Sequence, residues 1–289
     1  MNTEIFNGKE FSKRIDIETK RLSGRFMSIR GRKPVFAIID ASGTDEASIY
    51  GRSKIRKAND LQIESVSINV PPPGEKFNPA EYLENAVKEL NPDGIIMERP
   101  LPSWLDQNEI ENIVPDYLDV EGANIRNMGK NLMGERVLIP ATADATLRII
   151  ESLGERYGKH VCIINRSQII GRPLAAALLN RDYTVTVCHS KTRNIERISS
   201  SCDIVVTATG KAGYLGKSFV KEGGAVIDVG IISTENGVTG DCRQDDLLGY
   251  ASFLTPVPGG VGPVTTSVIM NNFMKLAMDR IEDRLKYCP

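Results

Sequence analysis

Residues 161–179, VCIINRSQIIGRPLAAALL, constrain this chain more than any other stretch. A short apolar run of strand character enters the polar turn Asn165-Arg166-Ser167. An Ala/Leu-rich helical segment then opens at Gly171-Arg172-Pro173. Strand, turn and helix N-terminus in that order build one corner of a parallel α/β sheet. Such a corner suits a phosphate, because the first turn of a helix has free backbone N–H groups and a partial positive charge. Pro173 fits that turn, where a missing N–H costs nothing. The stretch is not G-x-G-x-x-G, and only Gly171 supplies a glycine. By itself it serves equally as a cofactor corner or as a plain βα unit.

At 289 residues the chain has room for two domains or one large one. A net charge of -1 gives no electrostatic case for nucleic acid. The Lys and Arg residues between Lys9 and Lys33 read as a solvated helix face. The five cysteines (Cys162, Cys188, Cys202, Cys242, Cys288) are odd in number and widely spaced, with no C-x-x-C. That pattern argues for a reducing compartment and against disulfides or zinc. The polar start MNTEIFNGKE is no signal peptide, and no run reaches the roughly 20 apolar residues of a membrane span. These features predict a cytoplasmic protein without a membrane or nucleic-acid partner.

Residues 6–29 have apolar positions at helical spacing and predict a long first helix. VFAIID (35–40) and IESVSINV (63–70) read as strands, GIIMERPLP (94–102) as a third strand running into a proline-braced loop, and residues 45–59 and 79–90 as helices. Pro71 to Gly74 is a loop. This alternation predicts a parallel sheet covered by helices, with ligands beyond the strands' carboxyl ends. Asp40, Glu98 and Arg99 stand near those ends. Residues 103–140 read as a loop-rich connection with a short helix near 107–113, and DVEG (119–122) and N-x-G (127–129) fall in it. A helix at 142–153 precedes the corner. YTVTVCHS (183–190), DIVVTATG (203–210) and GAVIDVGI (224–231) continue the βα alternation. TPVPGGVGPVTTS (255–267) reads as a Gly/Pro-rich loop, followed by a periodic final helix.

In many NAD-binding sheets an acid ending the second strand holds the ribose 2′-hydroxyl. Here that strand ends His189-Ser190-Lys191-Thr192, with no carboxylate. A serine, a lysine and Arg166 suit a 2′-phosphate instead, which favours NADP over NAD. His189 reads as a loop or packing histidine. Tyr50 and Lys54, four residues apart, share one face of a helix.

Five motifs together carry more than any alone: Y-x-x-x-K at 50–54, R-P-L-P at 99–102, DVEG at 119–122, N-R-S-x-x-x-G-R-P at 165–173 and PVPGGVGP at 256–263. Thr265, Thr266, IDVGI (227–231) and His189-Ser190 add to them. In order and spacing the chain resembles the methylenetetrahydrofolate dehydrogenase/methenyltetrahydrofolate cyclohydrolase family of the bifunctional FolD type, over nearly its whole length. The resemblance implies an α/β fold of two parallel-sheet domains flanking a cleft, the second Rossmann-like. Residues 1–140 would form the folate-binding catalytic domain, joined by the C-terminal helix 268–289, and residues 141–267 the NADP-binding domain. It also implies a homodimer. Lys54 would be the central catalytic residue, with Tyr50 along the aminobenzoate and Glu98 beside the lysine. Glu121 would hold the pterin edge, and Pro258, Gly259, Gly260 and Val261 would line the folate pocket. Asn165, Arg166, Ser167, Gly171, Ser190, Thr209, Gly210 and Ile231 would contact the cofactor, with Arg166 and Ser190 near the 2′-phosphate.

Two reactions follow from the resemblance. Hydride transfer from the one-carbon methylene needs alignment rather than a strong base. Hydrolysis of the resulting methenyl group needs proton transfer. The departures from the family pattern leave the dehydrogenase machinery better matched than the cyclohydrolase machinery. Glu98 stands where the family usually has Gln, and a carboxylate beside Lys54 favours the ammonium form. Glu121 replaces an Asp, one methylene longer but still able to accept a forked pair of hydrogen bonds. Leu118 replaces a basic residue. Residues 140–145, PATADA, lack most of the family's P-C-T-P-x-G element. Asn165 replaces a glycine and still tolerates a left-handed backbone. A monofunctional dehydrogenase and a non-catalytic folate/NADP-binding paralogue remain as alternatives. Shikimate-type dehydrogenases share the two-domain plan but do not account for PVPGGVGP.

Overall fold

The computed structural model describes residues 2–41, 45–71, 77–98, 101–105, 113–135, 137–155, 157–235 and 237–287, without the side chains of 45–50 and 283–287. In chain order its main elements are β1 (Glu4–Ile5), α1 (Gly8–Arg30), β2 (Val35–Asp40), α2 (Asp45–Asp60), β3 (Glu64–Asn69), α3 (Pro79–Leu90), β4 (Gly94–Met97), α4 (Ile125–Leu132), α5 (Ala141–Ser152), β5 (His160–Ile164), α6 (Gly171–Leu179), β6 (Thr184–Cys188), α7 (Ile195–Ser199), β7 (Ile204–Thr207), β8 (Ala225–Asp228), β9 (Ile232–Thr234), β10 (Gly237–Thr239), α8 (Gln244–Leu247), β11 (Phe253–Leu254) and α9 (Val261–Tyr287). By contacts the chain divides into a first unit, Arg14–Met128 with Thr266–Pro289, and a second, Met1–Lys13 with Gly129–Thr265.

The first unit contains a parallel sheet in the order β3-β2-β4. Its central strand is apolar from Val35 to Ile39, and Phe36, Ala37, Ile38 and Ile39 are buried, as a strand covered on both faces requires. Asn78 caps α3 by accepting from the Ala80 and Glu81 N–H groups, and Asn91 ends it in the left-handed region. Leu83 of α3 joins Ala37, Ile39, Ile68, Ile95 and Met97 in one core. Phe273 of α9 packs on Phe36 with ring centroids 5.0 Å apart. Gly94 has no room for a Cβ, which would meet Phe273 at 2.7 Å and Val120 at 2.8 Å. The sheet therefore needs glycine where β4 begins.

The second unit contains a six-stranded, all-parallel sheet in the order β1-β11-β8-β7-β5-β6, with the antiparallel hairpin β9–β10 beside it. Val161 to Ile164, Ile204 to Thr207 and Ala225 to Asp228 are all buried. Leu174, Ala177 and Leu178 of α6 are buried as well. The two-residue strand β1 lies on the edge, held further by Thr3, whose hydroxyl donates to the Ala251 carbonyl and accepts from the Gly249 N–H.

The third strand ends at Met97, with Glu98 just beyond it, near the strand end as the sequence predicts. Two sequence expectations are corrected. Residues 127–129 are helical, within α4, rather than part of an irregular connection. The Gly/Pro-rich stretch stops being a loop at Val261, where α9 begins. Pro263 is permitted there because a first-turn residue has no N–H to give the helix. Arg99, Pro100, most of the expected helix at 107–113 and Pro72 to Gly74 lie outside the described residues. Among the described residues no helix is long and apolar enough to cross a membrane.

Candidate functional sites in the two units

In the first unit the site begins at the carboxyl end of the sheet. Glu98 follows β4 directly, and its backbone N–H donates to the Ile39 carbonyl at 2.8 Å. The strand thereby fixes where the carboxylate starts. Lys54, on α2, donates from Nζ to Glu98 Oε1 at 2.5 Å and to Oε2 at 2.6 Å. Both side chains are largely buried, 14% and 5% exposed. A forked, charge-assisted contact of this kind is among the stronger hydrogen bonds a protein makes. The expected meeting of Lys54 and Glu98 is therefore observed. Tyr50 lies on the same helix, but its side chain is outside the described residues.

The DVEG segment runs beside β4. The Ile95 N–H donates to the Leu118 carbonyl at 2.7 Å, and the Val120 N–H to the Ile95 carbonyl at 3.1 Å. Leu118 is buried in the core. The buried Asp119 carboxylate accepts from the Glu121 N–H at 3.2 Å, the Asn124 N–H at 2.8 Å and the Asn127 side-chain amide at 3.2 Å. Burial pushes its carboxyl above the usual carboxylate range, against the pull of those donors. Asp119 thus shapes the turn that carries Glu121. A recess of about 20 Å³, room for one water, lies among Met97, Asp119, Glu121 and Asn124.

The second unit holds the corner at residues 161–179, where β5 leads into α6. The expected free N–H groups at the start of α6 are absent. Asn165 Oδ1 accepts from the Ser167 N–H at 2.8 Å and the Gly171 N–H at 3.0 Å. The Arg172 N–H donates to the Ser167 carbonyl at 3.1 Å, and Pro173 has none. Ser167 Oγ accepts from the Ile170 N–H. A glycine corner would leave such donors to a phosphate, whereas the asparagine side chain takes two of them. Gly171 is obligatory, because a Cβ would run into the Asn165 backbone carbonyl. Anion binding at this corner falls to side chains. Arg166, Arg172, Ser190, Lys191 and Arg193 are exposed there, and none of the four cations has an ion-pair partner among the described residues. His189 orders the loop, with its N–H on Thr192 Oγ1 and its Nδ1 accepting from the Lys191 N–H.

Thr209 and Gly210 follow β7. Thr209 Oγ1 is buried without a hydrogen-bond partner, and Gly210 (φ +69°) faces open space. Ile231 follows β8 and is half exposed, at 50%. An orphaned hydroxyl, an open glycine, unpaired cations and no acid after β6 together fit a phosphorylated dinucleotide. Gly259 (φ +104°) and Gly260 shape the loop before α9, and Gly260 is pinned because a Cβ would strike the Pro256 carbonyl. Pro258 is exposed, and Val261 is buried in the first turn of α9. The Gly8 N–H donates to the Gly259 carbonyl at 3.0 Å. Asp228 and Asp241, both fully buried, were not visible as site residues from sequence. I-D-V and G-D-C carry no ligand pattern of their own.

A nucleotide-type parallel sheet in one unit and a buried lysine–carboxylate pair beyond the strands of another define a two-unit α/β enzyme class. Family models narrow the class. That of the tetrahydrofolate dehydrogenase/cyclohydrolase catalytic domain matches residues 6–121, and that of the NAD(P)-binding domain matches residues 140–281. The bifunctional protein FolD of Caldanaerobacter subterraneus subsp. tengcongensis is 36% identical over 277 residues, 95% of this chain and 97% of that one. The crystal structure of the bifunctional 5,10-methylenetetrahydrofolate dehydrogenase/cyclohydrolase from Thermoplasma acidophilum is 36% identical, with TM-score 0.87 over 96% of this chain and 100% of that one. The Trypanosoma brucei enzyme, solved with NADP and an inhibitor, is 30% identical, with TM-score 0.88 over 97% and 99%. The chain belongs to the tetrahydrofolate dehydrogenase/cyclohydrolase family. Shikimate dehydrogenase of Aquifex aeolicus, 13% identical with TM-score 0.50 over 86% of this chain and 97% of that one, shares the fold alone.

Proposed function

We propose that this protein oxidises 5,10-methylenetetrahydrofolate to the methenyl form with NADP and hydrolyses that product to 10-formyltetrahydrofolate. The observation that carries the reading is the forked Lys54–Glu98 contact at the carboxyl end of the first unit's sheet. It puts a proton donor and a proton acceptor side by side where a parallel α/β sheet binds its ligand. Glu121, on the turn ordered by Asp119, holds the pterin edge, with Tyr50, Pro258, Gly259, Gly260 and Val261 as further folate contacts. Arg166 and Ser190 bind the 2′-phosphate, and Asn165, Ser167, Gly171, Thr209, Gly210 and Ile231 complete the cofactor site.

When bound, NADP supplies the hydride acceptor. The chain's own task in that step is alignment. In the second step water adds to the methenyl carbon, and Glu98 accepts the proton that the attacking water loses. Lys54 donates a proton to the ring nitrogen as its bond to that carbon breaks. The added hydroxyl loses its hydrogen as the formyl group forms, so one proton is released overall.

An anaerobic assay with methylenetetrahydrofolate tests the reading, following NADPH and methenyl absorbance separately with NADP and with NAD. The expected result is NADP-dependent reduction and methenyl loss faster than in buffer. Methenyl accumulation at the buffer rate of decay would leave a monofunctional dehydrogenase, which the locked Lys54–Glu98 pair also accommodates. Binding of both ligands without turnover would leave a non-catalytic paralogue. The same reading makes the protein a cytoplasmic homodimer. Four buried free thiols, Cys162, Cys188, Cys202 and Cys242, suit a reducing compartment. Family resemblance supports the dimer, and sedimentation at micromolar concentration tests it.

A further inference from the structure

Two fully buried carboxylates in the second unit, Asp228 and Asp241, have no cation partner among the described residues. Buried acids without a counter-ion are costly unless donors surround them. Here the donors are backbone and hydroxyl groups of successive loops at the carboxyl end of the sheet. Asp241 Oδ2 accepts from the Thr207 hydroxyl at 2.7 Å and from the Thr209 N–H at 2.5 Å, and Oδ1 accepts from the Lys211 N–H at 3.0 Å. Asp228 Oδ1 accepts from the Gly230 N–H at 2.9 Å and the Asp241 N–H at 3.1 Å, and Oδ2 accepts from the Cys242 N–H at 2.8 Å. The Asp228 N–H donates to Thr255 Oγ1 at 2.7 Å. A Cβ on Gly230 would come within 2.5 Å of Asp241 Oδ1, and one on Gly240 would strike the Asp228 carboxylate. The backbone closes directly around both acids.

We infer that Asp241, itself held by Asp228, is a positioning residue for cofactor binding: it orders residues 207–211 and so presents Thr209 and Gly210. The inference rests on the cofactor role proposed above for that loop. Every polar group the Asp241 carboxylate grips belongs to the end of β7 or the loop after it, and the buried Thr209 Oγ1 is left without a partner among the described residues. The backbone is held from behind while the hydroxyl stays available. Only an acceptor-only group satisfies three donors at once. An asparagine in its place would set an amide N–H₂ against an N–H or O–H donor.

The test uses full-length Asp241→Asn and Thr207→Val with three readouts. NADPH fluorescence titration gives cofactor affinity. Hydrogen exchange on the cofactor-free protein reports residues 207–211. Steady-state kinetics separate the KM values for NADP and folate from kcat. Asp241→Asn is expected to weaken NADPH binding at least about tenfold. Exchange should quicken at 207–211 but not at 161–164. The KM for NADP should rise, with the folate KM within about twofold and kcat less affected. Thr207→Val keeps both N–H bonds, is expected to weaken NADPH binding about threefold, and decides the matter if Asp241→Asn does not fold. Unchanged NADPH affinity in a folded Asp241→Asn, or in Thr207→Val where Asp241→Asn is unfolded, overturns the inference, as does a folded variant that loses only thermal stability. A wild-type protein that binds no NADPH would instead overturn the cofactor role of the loop, and with it this inference.

Discussion

At the scale of single residues, the proposed hydrolysis turns on one carboxylate, that of Glu98. Glu98 is anchored by its own backbone to β2, and both of its carboxylate oxygens accept from Lys54. Glu98→Gln keeps the size and one acceptor but removes the charge. With Glu98 as the acceptor of the water's proton, the variant must hand that task to Lys54, which accepts only after losing its own proton. The optimum for methenyl hydrolysis should therefore move to higher pH, with the rate near pH 6 down by about tenfold, a modest share of what general base catalysis supplies. Hydride transfer should stay within about threefold, since it asks only for alignment. Stopped-flow rates of both steps across pH check this, and an unchanged profile would remove Glu98 from the chemistry. Lys54 and Glu98 were legible only through the motifs taken together, since a lysine on a helix face and an acid at a strand end carry no pattern of their own. Asp119 was legible only as part of DVEG, because its role appears when residues 121–127 fold around it. The corner misled at Asn165. Its sequence position resembles a glycine of a phosphate loop, yet its side chain consumes the donors a glycine would have left open.

At the scale of elements, long apolar strands and capped helices read directly from sequence, while short edge strands do not. A two-residue strand such as β1 has no period to detect. α4 was missed because its buried face is made of Asn127 and Asn131, with the buried Asn124 just before it, while Ile125 and Leu132 are 73% and 69% exposed. An apolar-inward pattern would have pointed the helix the wrong way. What holds β1 to the sheet is as much side chain as strand. The buried Thr3 hydroxyl donates to Ala251 and accepts from Gly249, each at 2.7 Å. Thr3→Val preserves shape and leaves that carbonyl and N–H without a partner, so it should cost about 1–3 kcal/mol. Urea denaturation checks the magnitude, and a native-like midpoint would mean that the backbone ladder alone secures the edge.

At the scale of the whole molecule, the buried acids bend the acid side of the stability curve in two directions. Asp203 is held below its ordinary 3.8, first by the His160 backbone N–H and then by Lys221. A depressed carboxyl contributes stability above its unfolded value and loses it as pH falls through the folded one. Asp119 and Asp228 are pushed above 3.8 by burial. Their contribution has the opposite sign: it is complete below the unfolded value and is lost as pH rises through the raised one, so both weigh against the fold at neutral pH. The ordinary acid decline should therefore be shallow here, because two groups stabilise the protein over part of the range where Asp203 stops doing so. Asp203→Asn isolates the contribution of this one carboxylate. It should cost about 1 kcal/mol at pH 7, the worth of a hydrogen bond to a partly solvated acid. The difference from wild type should narrow as pH falls below 3.8, where the unfolded chain takes up the proton first, and close only below the lowered folded value. Denaturation midpoints from pH 3 to 8 measure it, and a gap that stayed constant across that range would show that Asp203 acts through packing rather than through its charge.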